Sequence, residues 1–393
     1  MKSLAVVITA AICASSALAA SEPDDGTRGT NAEIVVTAIP LSRSESELDA
    51  CIARQCPPAE DIQATLVHAE NQFVAGDYKD ARRTLEKSLT RNRRHKADLP
   101  LAVADLLNAQ ANVASHLGES TIYRHALFEK RDTLRDHLPA DDPHALRAEL
   151  DLGDSRLKMG YPDEAEQKYL KMERYALTKG QPQVAAIARI RYLSLLVLKA
   201  QSDPTNDWLS KQARKEIAKY VAAPTPGAEK YALAGELLGL RLDRAMGVQK
   251  STDVLIARMI AEGGMERPAL LYAPAIERNP TDAMRAQRSG NARNRDLMTV
   301  VDKWVDIGFW VDDRGQVEEA EILRNHGSTE WADMLLRSIG GRQYVPAASS
   351  SGAPQRFFMI ERYTLTAGWE QNTGSRLRQR APVPRIERLD LTP

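Results

Sequence analysis

Cysteine, aromatic residues and net charge are all scarce in this chain of 393 residues, and each shortage excludes something. It has 3 cysteines, 5% aromatic residues, and 53 basic against 53 acidic residues. A zero net charge gives no bulk-electrostatic case for nucleic acid, so contact with an anionic polymer would have to rest on local patches. Three cysteines cannot staple a small secreted scaffold, and without adjacent histidines they cannot assemble a zinc site. His68, His116, His125, His137 and His144 are scattered with no H-x-x-x-H pair, which fits surface or satisfied structural histidines. Beyond the N-terminus no stretch is long and apolar enough to cross a bilayer; "YLSLLVLKA" around Leu195 reads as a buried helix. No nucleophile–base constellation, phosphate-cradling loop or metal motif stands out. Gly263-Gly264 and Gly340-Gly341 lack the strand-to-helix context and the Lys of a nucleotide site. The expectation is a protein that is not an enzyme and takes no cofactor.

What is present begins with Lys2, an apolar run from Leu4 to Ile12, and Ala17-Leu18-Ala19 before an acidic stretch. This is the pattern of a secretory signal peptide over residues 1–19, with an uncleaved inner-membrane anchor as the alternative. An exported chain retains Cys51 and Cys56, whose spacing suits a small loop-closing disulfide in an oxidising compartment. Residues 20–57 read as an extended segment containing Glu33, Ile34, Val35, Val36, Thr37 and Ala38, a β-favouring hexamer isolated between polar residues and Pro40. From 58 to 260 the apolar spacing is helical. Residues 261–302 read as a linker rich in Gly, Pro and polar residues. The run Arg91, Arg93, Arg94, His95 and Lys96 falls after a helix and reads as a solvated loop.

Two segments of the helical region share one pattern. "AENQFVAGDYKDARRTLEKSL" places Ala69, Phe73, Gly76, Tyr78, Ala81, Leu85 and Leu89, and "LGDSRLKMGYPDEAEQKYLKMERYA" places Gly153, Leu157, Gly160, Tyr161, Ala165, Tyr169 and Ala176, with small residues where paired helices meet and Gly at the turn. This resembles the tetratricopeptide repeat family, which implies stacked helix pairs with a surface for peptides or proteins.

Beyond residue 302 the chain changes character, and four of the five tryptophans, Trp304, Trp310, Trp331 and Trp369, lie there. Val305, Ile307, Phe309 and Val311 alternate as a half-buried strand, Asp312-Asp313-Arg314-Gly315 supplies a turn, and Val317–Leu323 reads as a second strand. Trp331, Leu335 and Ile339 share a helix face, Gly340-Gly341 stops the helix, and a last strand spans Phe357 to Leu365. The series "VDIGFWVDDRGQV", "EEAEIL", "WADMLLRSI" and "YVPAASSSGAP" resembles the C-terminal domain of TonB, the periplasmic energy transducer. The fold class expected is therefore multidomain: an all-α helical-repeat domain followed by a small α+β (ββαβ) domain at 303–372, with a flexible tail at 373–393.

The resemblance implies an exposed strand edge that pairs with extended peptides, placed on Phe357, Phe358, Met359, Ile360, Glu361, Arg362 and Tyr363. Glu33–Ala38 resembles the TonB box of outer-membrane receptors, which pairs with such an edge by β-augmentation. The partners implied are proteins, TonB-dependent receptors or other components of that system. No nucleic acid and only peripheral membrane contact are expected, in the periplasm. A cleaved signal and the missing Pro/Lys spacer depart from TonB, which puts coupling to the proton-motive complex in doubt. The rival expectation is an envelope scaffold acting through the repeats.

Overall fold

A computed structural model describes residues 40–248, 266–274, 303–348, 353–371, 378–380 and 384–392, with isolated positions at 254, 257, 258 and 276. The expected signal peptide and the Glu33–Ala38 segment lie outside the described residues.

Helices come first: α1 Leu41–Ala53, α2 Pro58–Ala75, α3 Tyr78–Asn92, α4 Pro100–His116, α5 Ser120–His137, α6 Pro143–Lys158, α7 Pro162–Thr178, α8 Pro182–Ser202, α9 Asp207–Ala222 and α10 Ala232–Ala245. The boundaries follow from local chemistry. Pro58, Pro100, Pro143, Pro162 and Pro182 each open a helix, where a missing N–H costs nothing. Gly76, Gly118 and Gly160 take positive φ at the turns ending α2, α4 and α6. Short turns make successive helices antiparallel neighbours. The two larger apolar cores that result lie around Leu85, Leu89, Val103 and Leu107 and around Leu150, Tyr169, Leu193 and Leu242.

The segment expected to be extended over 20–57 is helical from Leu41 onward. Ser44, Leu48 and Cys51, at steps of four and three, form its buried face. Cys51 and Cys56 are joined as a disulfide with Cα atoms 5.2 Å apart, closing the chain back on the end of α1.

The strands are β1 Ala269–Tyr272, β2 Lys303–Val311, β3 Val317–His326, β4 Gln343–Val345, β5 Ala347–Ala348, β6 Pro354–Gln355, β7 Phe357–Thr366, β8 Trp369–Gln371, β9 Arg378–Arg380 and β10 Arg385–Asp390, with α11 Asp333–Gly340 between β3 and β4. The principal sheet is antiparallel in the order β10-β7-β2-β3. Its β2–β3 turn is held by Asp312, whose carboxylate accepts from Arg314 N at 3.0 Å and Gln316 N at 2.6 Å, with Gly315 at φ 78.

Two expectations need correction here. The linker assigned to 261–302 contains β1, which pairs with β4. The tail assigned as flexible over 373–393 supplies β10, an edge strand of the main sheet. Its Arg/Pro-rich composition concealed this because its charges find partners on β7 and on the helices.

The inner strands β2 and β7 are covered on both faces, which explains their almost unbroken burial, whereas β3 is largely exposed. Val305, Ile307, Phe309 and Val311 of β2, with Met359 and Tyr363 of β7, pack against Leu335 and Ile339 of α11. The opposite face presents Trp304 and Asp306 of β2 with Arg362 and Thr364 of β7, and it meets the helices: Trp304 is part of the core formed by α2, α3 and α4. Gly76, at φ 91, lies against the Trp304 indole, which a Cβ there would overlap. Gly76→Ala is expected to lower unfolding free energy by roughly 2–4 kcal/mol, from the left-handed backbone and the overpacked indole together. Denaturant titration followed by tryptophan fluorescence checks this.

Candidate interaction site

The strand expected to offer a free edge does not have one along most of its length. Phe357–Leu365 pairs with β2 from end to end, Lys303↔Leu365 through Val311↔Phe357. On its other side Glu361–Thr366 pairs with β10. Ile360 is also engaged there: its N–H donates to Thr392 Oγ1 at 3.1 Å and its carbonyl accepts from Leu391 N at 2.9 Å. Ile360–Tyr363 therefore occupy an interior part of the sheet, and the edge assignment is corrected for them, while Phe357–Met359 run past β10. Phe358 packs on Trp310, ring centroids 4.9 Å apart, while Met359 and Tyr363 enter the core beneath α11.

Arg362 and Glu361, expected at a peptide-facing edge, instead anchor opposite faces of the sheet. Arg362 is fully buried, and its Nε and Nη2 donate to the two carboxylate oxygens of Asp306 at 2.6 and 2.8 Å. Arg324 donates to the same carboxylate at 2.9 Å. The Arg362 guanidinium lies 3.9 Å from the centre of the Trp304 ring, and its Nη1 donates to the Phe73 carbonyl in the last turn of α2 at 2.9 Å. Alongside, the Thr364 hydroxyl is bonded to Tyr78 at 2.8 Å and to His116 Nδ1 at 2.9 Å. Phe73, Tyr78 and His116 form an aromatic cluster around it.

A second arginine repeats the arrangement one helix pair further on. Arg385 of β10 donates to the Ser115 carbonyl in the last turn of α4 at 3.0 Å. Phe73 and Ser115 occupy equivalent positions, since each carbonyl also accepts from the turn glycine three residues on, Gly76 or Gly118. Helix C-termini leave carbonyls without intrahelical partners and carry partial negative charge, so buried guanidinium groups suit them. Lys158, at the end of α6, pairs with Glu387 of β10 at 2.6 Å.

On the face beneath α11, Glu361 accepts from Arg342 at 2.8 Å and from Arg388 at 3.0 Å. Arg342 also donates to the hydroxyls of Tyr344 and Tyr363, at 3.1 and 2.6 Å, and the Tyr363 hydroxyl donates to Glu361. Burial alone would raise the Glu361 pKa, but Arg342 and Arg388 hold it below the usual carboxylate value. Glu387 is likewise lowered, burial being outweighed by Lys158 and Arg385. His116 is lowered as well, which for a base favours the neutral form: burial, reinforced by Lys158, Arg362 and Arg385 against Glu387, pushes it down to about 3.

The charges of these groups are paired within the protein, an arrangement that holds surfaces together. Among the described residues one trio could approach a metal, Cys51, Cys56 and Glu60. The disulfide leaves it no thiolate, and Glu60 is paired with Arg54 at 2.7 Å. The expected hexamer Glu33–Ala38 lies outside the described residues. Sequence reasoning missed β10 altogether, since Ile386 and Leu389 fall on opposite faces of the strand and leave no apolar alternation to read.

Comparison of the chain with protein-family models finds no match, and comparison with curated protein sequences finds none. Among the described residues no helix is long and apolar enough to cross a membrane.

Asp306→Ala leaves a cation fully buried without its carboxylate and is expected to cost about 3–5 kcal/mol, whereas Asp306→Leu combined with Arg362→Met should recover much of the loss. Urea unfolding of the single and double variants decides it. The His116 shift also sets an acid dependence. Because its folded pKa lies below the unfolded value of 6.5, its contribution is complete above pH 6.5 and is lost as pH falls towards 3. Stability should therefore fall between pH 6.5 and 4.5 by up to about 1.4 kcal/mol per unit, before the lowered carboxylates contribute. His116→Asn, followed by thermal melts across that range, should flatten the slope.

Proposed function

We propose that this is a periplasmic protein-interaction protein, an adaptor in which tetratricopeptide-like helix pairs carry a TonB C-terminal-like domain that takes extended peptide segments by β-augmentation. In this reading it serves TonB-dependent outer-membrane transport and performs no catalysis. The observation that carries it is the antiparallel sheet itself. It is packed on α11 on one face and on the helix ends on the other, so its edges are the surfaces left for backbone pairing. The repeated Gly turns at 76, 118 and 160 support the helix-pair part of the proposal.

A scaffold role is the second reading, and one observation favours it. The buried Arg362, Trp304 and Thr364 contacts fix the sheet on the helices, as a structural part would require.

The test is fluorescence anisotropy of a labelled peptide with the sequence of residues 31–39, titrated with the full chain secreted and oxidised. Saturable binding in the micromolar range, lost when Val35 of the peptide is replaced by Pro, is the expected outcome. No binding by this peptide or by box peptides of receptors would reject strand addition and leave the scaffold reading.

A further inference from the structure

The sheet ends on two strands, β3 and β10, and they differ in a way that decides which one accepts a partner. β3 is broken as a template: its register with β2 shifts between Asp306 and Ile307 and again between Gly308 and Trp310. Glu319 lies at φ 51, and Glu318, Glu319 and Glu321 crowd the same strand. Bulges and like charges are what guards an edge against pairing. β10 has neither defence. Its register with β7 runs without a shift from Arg385↔Thr366 to Asp390↔Glu361.

The alternation of an antiparallel ladder fixes which groups of β10 are spare. Leu391 N donates to the Ile360 carbonyl, so Leu391, Leu389, Glu387 and Arg385 turn their backbone groups towards β7. Ile386, Arg388 and Asp390 then turn theirs outward, where no strand pairs with them among the described residues.

Charge identifies the occupant. Beside this edge, on the face beneath α11, lie Arg342, Arg388 and Arg241. Glu361 serves the first two, Asp390 is turned to Thr392 N at 2.9 Å, and Arg241 reaches the Leu270 carbonyl. Burial and the neighbouring Arg388 push Arg241 down to about 10, the response of a cation lacking a carboxylate. A second copy fits poorly, because two-fold pairing centred on Arg388 sets Arg388 against Arg388, and centring on Glu387 sets Glu387 against Glu387.

We infer that the outer edge of β10, through Ile386, Arg388 and Asp390, is the strand-addition site, and that it takes an extended protein segment with a carboxylate on the Arg388–Arg241 face. This rests on the β-augmentation reading and relocates its contact from β7 to β10. A strand of the Glu33–Ala38 type meets the requirement, since Glu33, Val35 and Thr37 share one face and apolar residues fill the other.

Amide hydrogen exchange of the full chain, with and without a saturating peptide of residues 31–39, tests the edge without any variant of the protein. Slowing by tenfold or more at Ile386, Arg388 and Asp390, with β3 unchanged, is expected. Protection at β3, or at neither edge while the peptide binds, overturns the inference and leaves the adaptor reading in place; absence of any binding rejects both. A peptide with Glu33→Gln should bind about tenfold more weakly, the loss of one charge-assisted contact. Equal affinity would overturn the carboxylate requirement.

Discussion

The carbonyl groups at the ends of α2 and α4 are the constraint on which the rest of this molecule depends. Each of these carbonyls accepts from a turn glycine and takes a second donor from a sheet 289 or 270 residues away in sequence. Arg362 reaches Phe73 and Arg385 reaches Ser115, at equivalent positions of successive helix pairs. Once Arg362 is committed to that carbonyl its charge needs a carboxylate, and Asp306 on the neighbouring strand supplies both oxygens. Trp304 then covers the guanidinium, and Gly76 makes room for the indole.

Seen this way, the charged residues inside the sheet have separate duties. Arg362 and Arg385 face the helices, while Arg342 and Arg388 converge on Glu361 beneath α11. Such pairs add little net stability over apolar residues of the same size, but they tolerate no unmatched partner. They therefore fix register, since a slip of one residue would turn Arg362 onto the α11 face, away from the helix carbonyl it serves.

The helices were legible because their punctuation is local: Pro at the first turn, Gly at the last, and small residues between. The β2–β3 hairpin was legible for the same reason, through Asp312 and Gly315. The edge assignment rests on the resemblance, which puts the edge on the strand after the helix; here β10 covers that strand from Glu361 on, and the mid-strand charges Glu361 and Arg362 are buried. The partners that bury those charges lie 19 and 56 residues away, beyond any local pattern. β10 escaped because prolines and arginines made its surroundings look like a tail. α1 was lost in the spacer between two cues, a β-favouring hexamer and a cysteine pair, although Ser44, Leu48 and Cys51 already lay on one face.

The hydrogen bond between Tyr78 and Thr364 spans 286 residues, and β10 enters the sheet after every other strand has been made. During synthesis from the N-terminus the helix pairs can assemble from neighbours, each closing a short loop. The sheet needs Arg385–Asp390 before its fourth strand exists. A nascent chain stopped short of residue 385 would carry the helix array without Arg385 and Glu387, the partners of the Ser115 carbonyl and Lys158, so this late strand acts as a latch between sheet and helices.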